Sequence, residues 1–449
     1  MTTFVFDFAQ GNKDQKDLLG GKGANLAEMT NLGLPVPPGF TISTEACKAY
    51  LAQGSDPESL AEEITAHLAT LESAMGRRLG DPANPLLVSV RSGAKFSMPG
   101  MMETVLNVGL NDESVHGLAA NAGGDDRFAT DSYRRLLQMF GATVMGVESE
   151  FFWRAMDDHK AAKGAAGDLD LSAEDLRELI EIYKDIIREH AGREFPQDPR
   201  EQLDLAMRAV FHSWNGDRAV LYRRQERIPE DLGTAVNVQA MVFGNGGMDS
   251  GSGVAFTRDP SSGEDALYLD FAFNAQGEDI VAGRHQVTDA DRLGRLLPAI
   301  RRELEIVRGL LERRFGDAQD FEFTVEDGKL WLLQTRSAKR TPLAALRIAV
   351  DLVQAGITTP QAAQQRLQGI DPATLEEQHV ANAGTLRRLG TATVASLGVA
   401  SGHVAFDPAS AAALAEDGAP VILVRDDATT ADIEGMAVAA GILTAVGGR

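Results

Sequence analysis

Hydrophobic residues recur along the chain at helical spacing in three segments. The first predicts a helix over 22–33, and the second predicts a helix from about 172 to 191, where Ser172 and Asp175 resemble a capping box. The third predicts a long helix from about 293 to 315. The apolar stripes are Leu26, Met29 and Leu32; Leu176, Leu179, Ile180, Tyr183, Ile186 and Ile187; and Leu296, Ile300, Leu304, Val307 and Leu311.

Short runs rich in β-branched and aromatic residues predict strands between these helices. The run 86–90 predicts a buried strand that carries Arg91 at its C-terminal end. Further strands are predicted over 235–243, 253–257 and 267–271. Strands and helices mixed in this way, with glycine-rich connections, indicate an α+β or α/β architecture.

A hairpin is predicted from strands 320–325 and 330–334. A two-residue turn at Asp327-Gly328 would place Gln334 on the face of Phe321 and Phe323. A three-residue loop would pair Val325 with Lys329, and we prefer it because it separates apolar from polar side chains better. It predicts one face with Phe321, Phe323, Val325, Trp331 and Leu333, and another with Asp320, Glu322, Leu332 and Gln334.

The last hundred residues change character twice. Residues 340 to about 382 are rich in Ala and Gln and predict a helical linker. From 393 onward, short strands with a helix over 432–440 predict the beginning of an α/β domain. The length of 449 residues is consistent with two to four domains or subdomains.

Composition narrows the classes of function. The formal net charge of −22 disfavours nucleic-acid and anionic-membrane partners, although local cations can still hold one nucleotide. Cys47 is the only cysteine, which excludes an intramolecular disulfide and a cysteine-based metal site, and none of the eight histidines has a metal-ligand spacing. The N-terminal sequence lacks a leader pattern and no run of 18 apolar residues occurs, so we expect a cytoplasmic protein.

Two glycine-rich segments could bind phosphates. Gly20, Gly21 and Gly23 surround Lys22 at a predicted helix start, where free amides favour anions. A purely structural turn explains that pattern about as well, and the P-loop spacing is absent. The second segment follows Arg91 and is a flexible loop; its Met101 and Met102 could face a purine or simply fill a core.

A third candidate is a cation site. Asp320 and Glu322 alternate on one predicted strand face with Gln334, an oxygen-rich set that suits Mg²⁺. The alternative interpretation is a solvated acidic strand face. Because Gln334 lies on the same predicted face, the cation site and the solvated face explain the pattern equally well. Glu278 and Asp279 in a predicted loop, Gly253 beside a strand, and Arg336 after the hairpin form a fourth group, each of which ordinary turns could also explain.

Taken together, these segments resemble the pyruvate, phosphate dikinase family. The matching stretches are GGKGANLAEMTNLGLPVPPGFTIST, VSVRSGAKFSMPGMMETVLNVGLND, VQAMVFGNGGMDSGSGVAFTRDPSSGE, NAQGEDIVAG and KLWLLQTRSAKRT. The resemblance covers residues 1 to about 345 with few gaps and continues weakly to the end. It implies an α+β fold with an ATP-grasp-type, subdivided nucleotide-binding region (1–339), a helical linker (340–383) and a partial phosphohistidine-type swivel domain (384–449).

The resemblance also implies roles for individual residues. ATP and phosphate would be substrates, with Mg²⁺ as cofactor. The ATP phosphates would contact Lys22 and Arg91, the nucleotide would lie along Gly100, Met101 and Met102, and Gln334 would contact it. Mg²⁺ would be held by Asp320 and Glu322. The phosphate and the transferring group would be surrounded by Arg134, Gly253, Glu278, Asp279 and Arg336.

Departures from the family pattern qualify the expected activity. The family carries its phosphorylated histidine in TSHA, whereas GILTAVGGR here has Val446 in place of an arginine and ends before such a motif. LGVASGH replaces the usual PASPGAA, and Asp270 stands where the family has a Gly-Glu pair. We therefore expect a phosphotransferase module that lacks its own acceptor histidine and the pyruvate-binding barrel, which a separate chain would supply. The alternatives are a catalytically inactive ATP-binding or regulatory protein, and a phosphotransferase acting on a small-molecule acceptor.

Overall fold

The computed structural model describes residues 2–96, 98, 102–277, 290–371, 375, 380–381, 383–392, 398–426 and 432–445. The chain divides into two compact units: Met1–Val242 with Trp331–Gln334, and Phe243–Leu330 with Thr335–Arg449. Among the described residues, no helix combines the length and apolar character needed to cross a bilayer.

The first unit is built on a five-stranded antiparallel sheet with helices packed on it. The strands are β1 Val5–Asp7, β2 Gly39–Ile42, β3 Arg78–Leu79, β4 Pro85–Leu86, β5 Val88–Gly93, β6 Thr104–Val108 and β7 Ala235–Ala240. Their order in the sheet is β1-β2-β7-β5-β6, and the short strands β3 and β4 form a separate parallel pair. The helices are α1 Lys16–Asn31, α2 Thr44–Gln53, α3 Leu60–Met75, α4 Ser114–Asn121, α5 Asp126–Thr143, α6 Ser149–Lys163, α7 Ala173–Ala191, α8 Pro199–Ser213 and α9 Asp217–Gln225.

The second unit contains two sheets of different type. The strands are β8 Gly251–Phe256, β9 Tyr268–Phe273, β10 Gln319–Glu326, β11 Lys329–Ser337, β12 His403–Ala405, β13 Val421–Arg425 and β14 Gly441–Thr444. One sheet has four strands in the order β11-β10-β8-β9, and the other is a parallel sheet of order β12-β13-β14. The helices are α10 Ala290–Leu296, α11 Pro298–Phe315, α12 Pro342–Gln354, α13 Pro360–Arg366, α14 Pro408–Glu416 and α15 Ile433–Val438.

Sequence patterns located most elements correctly. The mixed helix and sheet architecture confirms the α+β class. Helix α7 begins after Ser172, whose hydroxyl accepts from the Asp175 amide in a complete capping box, and it ends at Gly192 in the left-handed conformation. The capping residues could be identified from sequence because their hydrogen bonds are local.

Two predicted elements are wrong in detail. The long helix over 293–315 is two helices, α10 and α11, because Pro298 lacks the amide proton that a continuous helix would need. The strand predicted over 86–90 is split between β4 and β5 and runs on through Arg91 to Gly93. Arg91 therefore lies within a strand and not after it.

Candidate functional site

Lys22 lies where α1 is broken by a glycine. Gly20 has φ 67° and ψ 172°, which interrupts the helix and makes a second helical segment begin next to Lys22. The Gly21 amide donates to the Ala94 carbonyl oxygen at 2.9 Å. A Cβ atom on Gly20 would lie 1.5 Å from the Gly93 carbonyl oxygen, so the two backbones touch directly. This contact places Lys22 beside the end of β5, where a Cβ on Gly93 would be 3.6 Å from Lys22 Cβ.

Arg91 lies two residues before that contact on β5 and is 8% exposed. Its guanidinium donates to the side-chain oxygen of Gln239 on β7 and, at 3.2 Å, to the Leu333 carbonyl oxygen. The Gln239 amide nitrogen donates in turn to the Pro37 carbonyl oxygen at 3.0 Å. The glycine contact thus brings Lys22 and Arg91, two of the predicted phosphate-binding residues, to one region of the first unit.

Sequence reasoning missed the polar residues of β7. Asn237 and Gln239 are buried in a strand that is buried throughout, and Asn237 packs where Cβ atoms on Gly23 and Gly93 would fall. Their positions two residues apart in an otherwise apolar run, AVNVQAMVF, could have identified them, because buried amides need a specific partner.

Asp320 and Arg336 form a close pair in the second unit. The Arg336 Nε atom lies 2.8 Å from both carboxylate oxygens of Asp320, which is 4% exposed. Burial raises the pKa of Asp320 to about 6, against the lowering effect of the Arg336 charge, and Glu322 adds to the rise. Burial opposes the charged form of Arg336, yet the Asp320 carboxylate raises the pKa of that guanidinium overall.

The preferred hairpin register is wrong at the turn. Strand β10 ends at Glu326 and β11 begins at Lys329, leaving Asp327 and Gly328 as a two-residue turn with φ 50° and 72°. Positive φ at both positions is typical of a type I′ turn, whose twist matches that of a hairpin. Leu330 and Leu332 are accordingly buried, whereas Trp331 and Leu333 are half-buried.

The pairing of β10 with β11 shifts by one residue between the turn and the other end of the hairpin. The turn places Glu326 opposite Lys329, but the Ala338 amide donates to the Ala318 carbonyl oxygen at 3.0 Å, a pairing shifted by one residue. Strand β11 therefore contains one extra residue, a bulge, which sequence periodicity does not reveal. Because of this shift, Arg336 meets Asp320, and Gln334 lies on the same face of β11 as Arg336 by alternation.

Two predicted site residues have packing contacts of their own. Gly253 lies between the stacked rings of Phe271 and Phe323, and a Cβ there would be 2.6 Å from the Phe323 ring. Arg134 is buried on α5, where it donates to Asp131 at 2.8 Å and to Gln138 at 2.9 Å. The charge of Asp131 raises the pKa of Arg134, although burial alone would lower it.

The remaining predicted residues differ in how far the structure describes them. Glu278, Asp279, Gly100 and Met101 lie outside the described residues. Glu322 is half-buried on β10, two residues after Asp320. Met102 is half-buried and packs against the cluster of Met98, Trp214 and Ala219.

One group of possible metal ligands occurs in the described part of the chain. Ligand atoms of His159, Asp175 and Glu178 lie within 4.8 Å of one another. Lys163 pairs with both carboxylates, at 2.9 Å and 2.7 Å, so an ammonium already supplies the positive charge there. We therefore do not assign a metal to this group.

Comparison with known proteins places the chain in a family. The family model for the pyruvate phosphate dikinase AMP/ATP-binding domain matches residues 16–72 and 56–306. The class that this match defines is an α+β AMP/ATP-binding domain. The chain belongs to the pyruvate, phosphate dikinase family.

Similarity to individual members extends over the whole chain. The chain is 50% identical over 468 residues to the pyruvate, phosphate dikinase of Rhizobium meliloti, covering 100% of this chain and 52% of that protein. It is 47% identical over 460 residues to the enzyme of Clostridium symbiosum, with shares of 100% and 52%. It is 50% identical over 454 residues to chloroplastic pyruvate, phosphate dikinase 1 of Oryza sativa, with shares of 99% and 47%. The chain thus spans about half the length of the curated relatives it matches.

Proposed function

We propose that this chain binds Mg·ATP and takes part in the ATP and phosphate side of a pyruvate, phosphate dikinase reaction. The observation that carries the proposal is the contact between Gly20 and Gly93, which brings Lys22 beside the strand of Arg91. Phosphoryl transfer depends on positioned cations that neutralise phosphate charge, and the backbone contact between the segments of Lys22 and Arg91 supports a role of this kind for the two residues. The proposal includes an ATP-grasp-type region over 1–339, a linker over 340–383 and a swivel-type domain over 384–449.

Lys22 and Arg91 would bind the ATP phosphates. The helical segment that begins at the Gly20 break also presents backbone amides near Lys22, which favours an anion at that point. Gly100, Met101, Met102 and Gln334 would then lie along the nucleotide. Around the phosphate and the transferring group we place Arg134, Gly253, Glu278, Asp279 and Arg336.

Asp320 and Glu322 fit a magnesium ion as a donor set. Both are carboxylates, the hard oxygen ligands that Mg²⁺ prefers, and they alternate on the same face of β10. Asp320 is buried enough that its carboxylate prefers a proton or a cation as a partner. When bound, the metal would neutralise phosphate charge, while Arg336 keeps the Asp320 carboxylate oriented.

Calorimetric titration with Mg·ATP tests the proposal directly. Wild-type protein should bind, and Lys22→Ala should weaken binding by about 1.5–3 kcal/mol because a charge-assisted phosphate contact is lost. Lys16→Ala is the matched control, since Lys16 is exposed on the same helix before the Gly20 break. Absence of binding to the folded wild-type protein would refute the proposal, and equal affinities of the two variants would refute the role of Lys22.

A further inference from the structure

Arg223 on α9 is a buried arginine in an unusual environment. It is 1% exposed and is the largest fully buried side chain among the described residues. Its guanidinium donates to the Trp214 carbonyl oxygen, and its Cζ atom lies 4.0 Å from the centre of the Trp214 ring. Within the described residues, its Nε atom has no hydrogen-bond partner and no carboxylate lies within ion-pair distance.

A buried arginine with these contacts costs folding free energy, so stability does not explain its presence. The acidic residue with an electrostatic effect on Arg223 is Glu230, but that carboxylate is exposed and lies 3.6 Å from Arg224 instead. Burial accordingly lowers the pKa of Arg223. A buried charge without an anionic partner is costly, and an apolar side chain of similar length would avoid that cost. Besides its hydrogen bond to the Trp214 carbonyl oxygen, Arg223 stacks on the Trp214 ring, a cation–π interaction.

Trp214 connects this arginine to both sides of residues 95–101, the segment that follows strand β5. Trp214 is 2% exposed and packs in one cluster with Met98 of this segment; Ala94, just before the segment, and Met102, just after it, pack against the same cluster. Its indole Nε1 donates to the Glu230 carbonyl oxygen at 3.0 Å, which fixes the ring plane. Ala94 also accepts from the Gly21 amide, so the cluster adjoins the contact that positions Lys22.

We propose that Arg223 is a positioning residue for the ATP site: by stacking on Trp214 it holds that ring against Met98 and Met102 and so keeps both sides of this segment in place. Ala94, Met98 and Met102 together form the Trp214 contacts. This inference rests on the proposed Mg·ATP function for its consequence on binding, but the positioning itself does not depend on nucleotide.

The test compares Arg223→Met with Arg224→Met in the full chain. Arg224 is the adjacent residue on the same helix and is exposed, so the substitution there is a matched control. Hydrogen exchange of peptides containing the Trp214 contacts, without nucleotide, should be about tenfold faster in Arg223→Met, whereas peptides from α5 should not change. Mg·ATP affinity should also fall about tenfold, while thermal unfolding should shift little because a desolvated charge is removed as well.

The outcomes separate this inference from the proposed function. Unchanged exchange at the Trp214 contacts would overturn the positioning role, whether or not ATP binds. Faster exchange everywhere, together with a large fall in unfolding temperature, would also overturn it, since the role would then be general stabilisation. Arg223→Lys keeps a cation over the ring and should restore most of the protection. If Arg223→Met does not fold, Trp214→Phe provides the second variant, and it should loosen the same peptides; unchanged exchange there would overturn the role equally.

Discussion

Substitution of Gly20 by alanine tests the contact that brings Lys22 to β5. Gly20 has φ 67°, and the new Cβ would lie 1.5 Å from the Gly93 carbonyl oxygen and 2.5 Å from its carbonyl carbon. Real Cβ contacts stay near or above 3 Å, so one backbone must move by about 1.5 Å. That displacement is larger than the lengthening of about 0.6 Å that the 2.9 Å hydrogen bond between the Gly21 amide and the Ala94 carbonyl oxygen can accommodate, so we expect this bond to break.

The expected loss of stability has three parts. An alanine held at φ 67° and ψ 172°, a backbone region that essentially only glycine occupies, costs about 1–3 kcal/mol, overpacking adds about 1–3 kcal/mol, and the broken hydrogen bond adds about 1 kcal/mol. Gly33→Ala is a control for a positive φ without a steric clash, because Gly33, just after α1, has φ 71° and nothing within 4 Å of its would-be Cβ. Gly20→Ala should therefore be less stable than Gly33→Ala by about 2–5 kcal/mol.

The assay is thermal unfolding of both variants followed by Mg·ATP titration of the folded proteins. Only Gly20→Ala should lose affinity, because it alone separates Lys22 from the strand of Arg91. Equal unfolding temperatures would refute the steric reasoning. A destabilised Gly20→Ala that binds Mg·ATP as well as Gly33→Ala does would refute the link between the glycine contact and the phosphate-binding residues.

Three further predictions concern buried polar groups. Gln239→Leu removes an acceptor of Arg91 and should weaken Mg·ATP binding in calorimetry and lower stability by about 1–3 kcal/mol; unchanged values would contradict the role of the amide. Asp320 has a pKa of about 6 in the folded protein against an ordinary 3.8, so the folded metal-free protein binds this proton more tightly than the unfolded chain does. The proton therefore stabilises the folded state, and this stabilisation should be lost as pH rises through about 6. Relative to Asp320→Asn, the free energy of unfolding of the wild type should fall by up to about 3 kcal/mol between pH 4 and 7, and a difference in unfolding temperature that does not change with pH would disprove it. Glu312→Ala should cost about 1.5–3 kcal/mol in denaturant unfolding because Arg258, 2.9 Å away, would lose its buried carboxylate partner and keep the more exposed Asp351 at 3.3 Å and Asp265 at 3.7 Å, whereas a loss below about 0.5 kcal/mol would argue against this pair.

Local patterns in the sequence predicted local structure well and long-range register poorly. Ser172 and Asp175 form their capping box within one turn, so the residues alone determine it. The predicted hairpin register was wrong for a different reason. Segregation of apolar residues predicted a three-residue loop, whereas the structure has a two-residue turn followed by a bulge in β11. Strand β11 also hydrogen-bonds a segment distant in sequence, since the Leu332 amide donates to the Pro35 carbonyl oxygen. No periodicity within 320–334 contains that information.

Lys22 and Arg91 illustrate how tight packing can serve binding. In the sequence, the glycines around Lys22 suggested space for a phosphate to approach the backbone. In the structure, Gly20 instead allows one backbone to touch another, and the helical segment of Lys22 lies beside the strand of Arg91 as a result. Side chains held on packed backbone lose little freedom when an anion binds, so less of the interaction energy is spent on ordering them. For the same reason, the proposed site should be sensitive to a single methyl group at Gly20, a residue to which the proposal assigns no ligand contact.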